Sequence, residues 1–215
     1  MITVFGDSHF GKSPGRDESL IRFLNVLKTD HLILMGDIFH FYFEYKYGVY
    51  KKNIPLIHTL LKVKEKGTNV IFVPGNHDLW IGEFLKSNFM VLPEKADIVL
   101  EGMKFHLLHF IEFNSLIRSK AVISFFSLLP IDIGYRLGIK IAKFTEKKKE
   151  GDMIKLILEY SKKVDADFLI FAHSHIPLIK YLSDKIILNP GGWVNELSYI
   201  EVKKGVPSLK IFGTP

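Results

Sequence analysis

Five apolar runs in this 215-residue sequence lead directly into side chains that hold metal ions well. VFGDSH ends in Asp7 and His9, LILMGD in Asp37, IFVPGNHD in Asn76, His77 and Asp78, FHLLH in His109, and LIFAHSH in His173 and His175. Cysteine is absent, so a metal must be held by oxygen and imidazole nitrogen, a donor set suited to hard or borderline divalent ions such as Mn²⁺. Asp7, His9, Asp37, Asn76, His109, His173 and His175 are enough for two ions, with Asp37 the natural bridging carboxylate. Two ions roughly 3.5 to 4 Å apart activate water and neutralise phosphoryl oxygens, which is the chemistry of phosphate ester hydrolysis. His77, next to a ligand but not needed as one, is placed to protonate a leaving oxygen or to stabilise the transition state.

The first of these stretches also satisfies the pattern of a phosphate-cradling loop, G-x-x-x-x-G-K-[ST], in residues 6 to 13, GDSHFGKS. That reading requires a helix to start at Lys12-Ser13 and turn its N-terminus to the phosphates. Pro14-Gly15 and the onset of helical periodicity near Asp17 predict that the loop continues instead, and two metal-seeking side chains suit a metal pocket better.

The elements that must position these residues begin as β-α-β-α-β. Strands are expected over 2–5, 31–35 and 69–73, a helix follows from the Leu20, Phe23, Leu24, Leu27 spacing, and another from Ile54 to Lys66 ends at Gly67. Strand C-termini in such a protein collect along one edge, where residues distant in sequence can converge. Short strands follow at 98–100 and 104–109, then helical sequence from about Ser115 to Lys163, interrupted by Pro130 and Gly151. Strands at 167–172, 178–182, 185–189 and 197–202 lie close together, as in an antiparallel meander. His31, His58 and His106 fall outside the strand-end set and read as structural.

An apolar fraction of 47% with 24% charged residues describes one ordinary globular domain over 1–215, with no interdomain linker. The net charge of +6 is uneven: Glu112 to Glu150 holds eight basic against four acidic residues beside the apolar run Ala121 to Ile131. That run is too short to span a bilayer, but a basic and apolar segment suits an anionic amphiphile or an acidic membrane surface better than nucleic acid. No obligate protein partner is evident. The opening MITVFGDSHF has no secretory character, so a cytoplasmic location is expected, with peripheral contact on the cytoplasmic face of the inner membrane.

Asp7-x-His9, Gly36-Asp37, Gly75-Asn76-His77-Asp78, His109 and His173-x-His175 together resemble the signature of the calcineurin-like metallophosphoesterases, in order and over nearly the whole chain. The resemblance implies an α/β fold, a four-layer α/β/β/α sandwich, with Asp7, His9, Asp37 and His175 on one metal and Asp37, Asn76, His109 and His173 on the other. GDIFHFYFEYK at 36–46, LLPIDIGYRLGIKIA at 128–142 and LNPGGW at 188–193 are similar to the UDP-2,3-diacylglucosamine diphosphatases, which cut a nucleotide-lipid into UMP and an acylated sugar phosphate. This second likeness implies a helical cap at about 112–150 that holds acyl chains, and substrate contacts from Lys12, Arg118, Arg136, Lys140 and Trp193. The chain departs from the pattern at His77, where many of these enzymes have Arg, and at His40, where an acidic residue usually orients the catalytic histidine. It departs again at Phe110-Ile111 and at Gly192. A general phosphodiesterase of nucleotides or nucleic acid and a metal-containing scaffold without catalysis are the alternative functions.

Overall fold

A computed structural model of the chain describes residues 1–42, 44–45, 48–78, 83–109, 129–130, 132–134, 136–138, 140 and 150–213. Its centre is a pair of mixed sheets. The six-stranded sheet has the order β13 (Val206–Ile211), β12 (Ser198–Lys203), β1 (Ile2–Phe5), β2 (His31–Met35), β5 (Asn69–Val73), β6 (Met90–Val91). The five-stranded sheet has the order β10 (Pro177–Tyr181), β11 (Ile186–Pro190), β9 (Phe168–Phe171), β8 (Met103–Leu108), β7 (Lys95–Leu100). A two-stranded ribbon, β3 (Glu44–Tyr45) and β4 (Gly48–Val49), stands apart. The helices are α1 (Pro14–Val26), α2 (Ile54–Glu65), α3 (Glu83–Asn88), α4 (Glu150–Ser161) and α5 (Trp193–Glu196).

Alternation along the strands sorts the buried side chains into three layers, because successive Cβ atoms point to opposite faces. Phe5, Leu32, Leu34, Val70 and Phe72 face outward from the first sheet and pack with Leu20, Phe23 and Leu24 of α1 and Leu56, Leu60 and Val63 of α2. Ile2, Val4, Ile33, Met35, Ile71 and Val73 face inward and meet Phe105, Leu107, Phe168, Ile170 and Leu188 of the second sheet. On its far side that sheet turns Leu108, Leu169, Phe171 and Ile187 toward Met153 and Ile157 of α4. The result is α/β/β/α, as the resemblance implies. Near-continuous apolar runs such as HLILM and FLIF are what a strand buried on both faces needs.

The structure corrects two expectations. The strands after residue 167 are not a meander: β10 and β11 form a hairpin, but β11 and β9 pair in parallel, β9 and β8 pair in parallel, and β12 crosses to the other sheet to lie antiparallel to β1. Closeness in sequence sets neither neighbour nor direction. Ile200 and Val202 find their burial beside Ile2 and Val4, not beside β11. The loop after Lys12 also does not continue, since α1 begins at Pro14 with Ser13 in the N-cap position. Proline at the first helical residue has its φ pre-set and loses no needed N–H, which outweighs the glycine that follows.

Helical residues occur at 132–134 and 136–138, within the expected cap, and most of 112–150 lies outside the described residues. Among the described residues, no helix is long and apolar enough to cross a membrane. The inter-sheet layer holds the two rows of strand ends together. Ile170→Ala, in the middle of that layer and fully buried, is expected to cost about 2–5 kcal/mol of unfolding free energy; chemical denaturation read by circular dichroism measures it.

Candidate metal centre

The loops following β1, β2, β5, β8 and β9 meet at one edge of the sandwich and bring Asp7, His9, Asp37, His109, His173 and His175 together, with Asn76 in the loop whose next residue donates its amide to Asp37. Asp7, Asp37 and His109 are fully or almost fully buried, and His9 and Asn76 nearly so. His175 keeps about a quarter of its side chain exposed and marks the open side. Two groups of potential ligands form, Asp7 with His9 and His175, and Asp37 with His109 and His173, each with its donor atoms within 4.8 Å of one another. His109 Nε2 lies 3.4 Å from Asp37 Oδ2 and 3.9 Å from Asp7 Oδ1, and 3.3 Å from His173 Nδ1.

The backbone takes an unusual form to achieve this. Asp7, His9, Asp37, His173 and His175 all have left-handed backbone, with φ between 45° and 69°. Such a conformation costs a non-glycine residue about 1–3 kcal/mol and persists where the surroundings dictate it, often at functional sites. Each of these residues lies in the loop that follows a strand. Two glycines make the crossing of the loops close enough. A Cβ on Gly36, itself at φ 74°, would stand 2.4 Å from His109 Nδ1, and one on Gly75 would stand 2.1 Å from Asp37 Oδ1.

Hydrogen bonds set the rings and carboxylates. His109 Nδ1–H donates to the Met35 carbonyl at 2.6 Å, which directs Nε2 at the carboxylates. The His77 amide donates to Asp37 Oδ1 at 2.8 Å and the His173 amide to Asp7 Oδ2 at 2.9 Å, leaving the other oxygen of each carboxylate to the pocket. Burial drives Asp7 up to about 6, past the lowering pull of His109 and His175. Burial would raise Asp37 too, but the facing His109 and His77 hold it well below the ordinary carboxylate range. His109 is raised to about 10, since Asp37 and Asp7 overcome the lowering effect of burial. Burial keeps His9 well below its usual value.

The residues fit a divalent cation on their own chemistry. Asp7 Oδ1, His9 Nδ1 and both side-chain polar atoms of Asn76 are buried without a hydrogen-bond partner among the described residues. A buried unsatisfied polar group costs about 1–3 kcal/mol, and coordination is a contact that Asp7 Oδ1, His9 Nδ1 and Asn76 Oδ1 can make, whereas the Asn76 amide nitrogen can only donate.

Three residues matter more than sequence reasoning allowed. Asp78 accepts from the amides of Gly75 at 2.6 Å, Ile38 at 2.7 Å and Asp37 at 3.2 Å, so its carboxylate clamps the β2 and β5 loops together. Its place at the end of the Asn-His-Asp triplet was the available signal. Burial and the nearby Asp37 raise it to about 6 despite those amides. The His40 carbonyl accepts from His77 Nδ1 at 2.5 Å, so the backbone at this position orients His77 although the side chain is not acidic. Asn195 lies 3.4 Å from His175 Nδ1 and was not signalled by any motif.

The loop amides decide the fate of the phosphate-cradle pattern. A helix does follow it, but the amides of Asp7, His9, Phe10 and Lys12 donate to carbonyls of Gly36, Asp37, Ile38 and His9, and the Gly11 amide donates to Asp17 Oδ2. These loop amides are taken by acceptors of the chain itself, and the loop serves the metal pocket.

Of the expected substrate contacts, Lys12 is exposed and close enough to His9 to influence it, and Arg136 and Lys140 are exposed. Arg118 lies outside the described residues, as do Phe110-Ile111. Trp193, expected to contact substrate, is fully buried among Phe5, Phe23 and Phe212, with ring centroids 4.8 to 6.1 Å away, and closes the core. An indole following β11 at the start of a short helix is drawn into the apolar layer beside α1. His106 is structural, bonded to Asp97 at 2.6 Å and to Tyr160 at 2.9 Å on the outer face of the second sheet.

A sandwich of this kind, with carboxylates and imidazoles gathered over its strand ends, defines a metal-assisted phosphoesterase class. The calcineurin-like phosphoesterase model matches residues 1–177, and the chain belongs to that family and is a hydrolase. Its relatives include the UDP-2,3-diacylglucosamine hydrolases of Psychromonas ingrahamii, 26% identical over 98% of this chain and 97% of that one, and of Porphyromonas gingivalis, 26% identical over 78% of each. Similar folds occur in an archaeal phosphodiesterase, with a TM-score of 0.53 at 15% identity over 98% of each chain, and in the Escherichia coli phosphoesterase Yfce, with 0.52 at 16% over 99% of each.

Gly75→Ala is expected to push Asp37 out of the pocket and weaken divalent-ion binding at least tenfold without unfolding the protein, as checked by metal titration calorimetry alongside circular dichroism.

Proposed function

We propose that the protein hydrolyses the pyrophosphate of UDP-2,3-diacylglucosamine or a close nucleotide-lipid, releasing UMP and an acylated sugar 1-phosphate, with two divalent ions of which Mn²⁺ is the preferred kind. The observation that carries this reading is the match along 98% of the chain to a relative named as a UDP-2,3-diacylglucosamine hydrolase. The donor set of carboxylates, imidazoles and one amide supports the metals. The apolar and basic sequence of 112–150 supports a lipid-bearing anionic substrate reached from the cytoplasmic membrane face, with a cap over the pocket.

When bound, the ions would supply Lewis acidity toward the phosphoryl oxygens and lower the pKa of water. Asp7, His9, Asp37 and His175 would hold one, and Asp37, Asn76, His109 and His173 the other. The chain's own part begins with His77. Its Nδ1–H is committed to the His40 carbonyl, so a proton that it passes on is carried by Nε2, and the ring is kept in that orientation by the backbone. As the α-phosphorus gains an oxygen from water and its bond to the bridging oxygen breaks, His77 gives that proton to the departing sugar phosphate. Lys12, Arg118, Arg136 and Lys140 are the cations that would offset substrate charge in this reading. Arg16 is otherwise engaged, donating to the Asn195 carbonyl at 2.9 Å.

Purified protein given Mn²⁺ is expected to release UMP from UDP-2,3-diacylglucosamine, detected by chromatography. Cleavage of a small generic phosphodiester with no UMP from the lipid would favour a general phosphodiesterase, and full metal content without turnover of either would favour a scaffold. His77→Ala should slow hydrolysis about 10²-fold or more while metal content by elemental analysis stays near the unmodified protein's; loss of metal would contradict a proton-donor role.

A further inference from the structure

A third group of potential ligands borders the two that contain carboxylates. His9, His40 and His77 place one ring nitrogen each within 4.8 Å of the others. The rings are packed together, with centroids of His9 and His77 4.6 Å apart, of His40 and His77 5.5 Å apart and of His9 and His40 5.9 Å apart. All three side chains are buried. Because His77 Nδ1 donates to the His40 carbonyl, the neutral ring carries its lone pair on Nε2, the nitrogen able to bind a metal. The donors are all imidazole nitrogens, in contrast to the neighbouring groups, each of which contains an aspartate.

We infer that His9, His40 and His77 form an inhibitory cation site selective for nitrogen-seeking ions of the zinc class. Three imidazoles without a carboxylate bind Zn²⁺, Ni²⁺ or Cu²⁺ far better than Mg²⁺ or Mn²⁺, which prefer oxygen. An ion there is weaker than one held by Asp7 or Asp37, because no carboxylate offsets its charge and His9 also belongs to the group with Asp7 and His175. It fills only when metal is in excess. Once seated it occupies Nε2 of His77, so the proton that the proposed hydrolysis needs has no carrier. The blocking of turnover therefore rests on the role proposed for His77, whereas the binding of zinc to the three rings does not.

Two measurements test the site and separate it from the functional reading. In the first, the zinc-loaded protein with ¹⁵N-labelled histidine receives further ZnCl₂ beyond saturation of its tighter sites, and the imidazole ¹⁵N resonances are followed. Those of His40 and His77 are expected to move together. Resonances of His40 that stay in place throughout would overturn the site, whatever the enzyme's substrate. In the second, hydrolysis of a generic chromogenic phosphodiester or the nucleotide-lipid is followed with rising ZnCl₂ over constant Mn²⁺. Each protein is scored against its own zinc-free rate. His40→Ala is expected to need at least tenfold more zinc for half-inhibition, and His40→Gln serves the same purpose should the alanine variant fold poorly. Equal zinc sensitivity in these variants and the unmodified protein would overturn the inhibitory role.

Discussion

Two aspartates, Asp7 and Asp37, are buried beside each other where the strands end, and the rest of the architecture answers that placement. Burying like charges together is unfavourable unless cations stand between or beside them. The two aspartates raise His109 to about 10 against its burial, and His109 in turn helps hold Asp37 below the ordinary carboxylate range. Asp7 is less well matched and is driven up to about 6. The unmatched oxygen of Asp7, the bare nitrogen of His9 and the unsatisfied amide of Asn76 describe a pocket whose electrostatics are completed by divalent ions.

Keeping such a pocket intact needs a frame that does not yield. Left-handed backbone at five ligand positions and the near contact of Gly36 and Gly75 with neighbouring side chains would relax if the loops were unsupported. Support comes from the inter-sheet apolar layer below and from Asp78 above, whose carboxylate ties the amides of one loop to the next. The side facing solvent is more open at His175.

His77 shows how a change of side chain can be absorbed by the backbone. His40 carries no negative charge to orient its neighbour, but its carbonyl fixes the tautomer of His77. The side chain released from that duty stacks on His77 and brings a third imidazole to the pocket edge. A position tuned for orientation thereby acquires the capacity to bind metal.

Residue type and spacing alone pointed to the β-α-β-α-β opening, the absence of thiolate ligation and the strand ends as the place where metal-capable side chains gather, while the four-layer sandwich was implied by the resemblance. Such features are local: a β-branched run followed by Gly-Asp or Asn-His-Asp contains its own signal. Tertiary structure decided what depends on distant partners. It drew Trp193 into the core with Phe5 and Phe23, and it spent the loop amides of GDSHFGKS on the chain's own carbonyls and on Asp17. It sent β12 to the other sheet, because Ile200 and Val202 are buried most completely beside β1. It also assigned Asp78 and His40 their roles, through hydrogen bonds to residues about 40 positions away. No pattern within one segment encodes such contacts, since they arise only when the two sheets close on a shared apolar layer and carry their loops to the same edge.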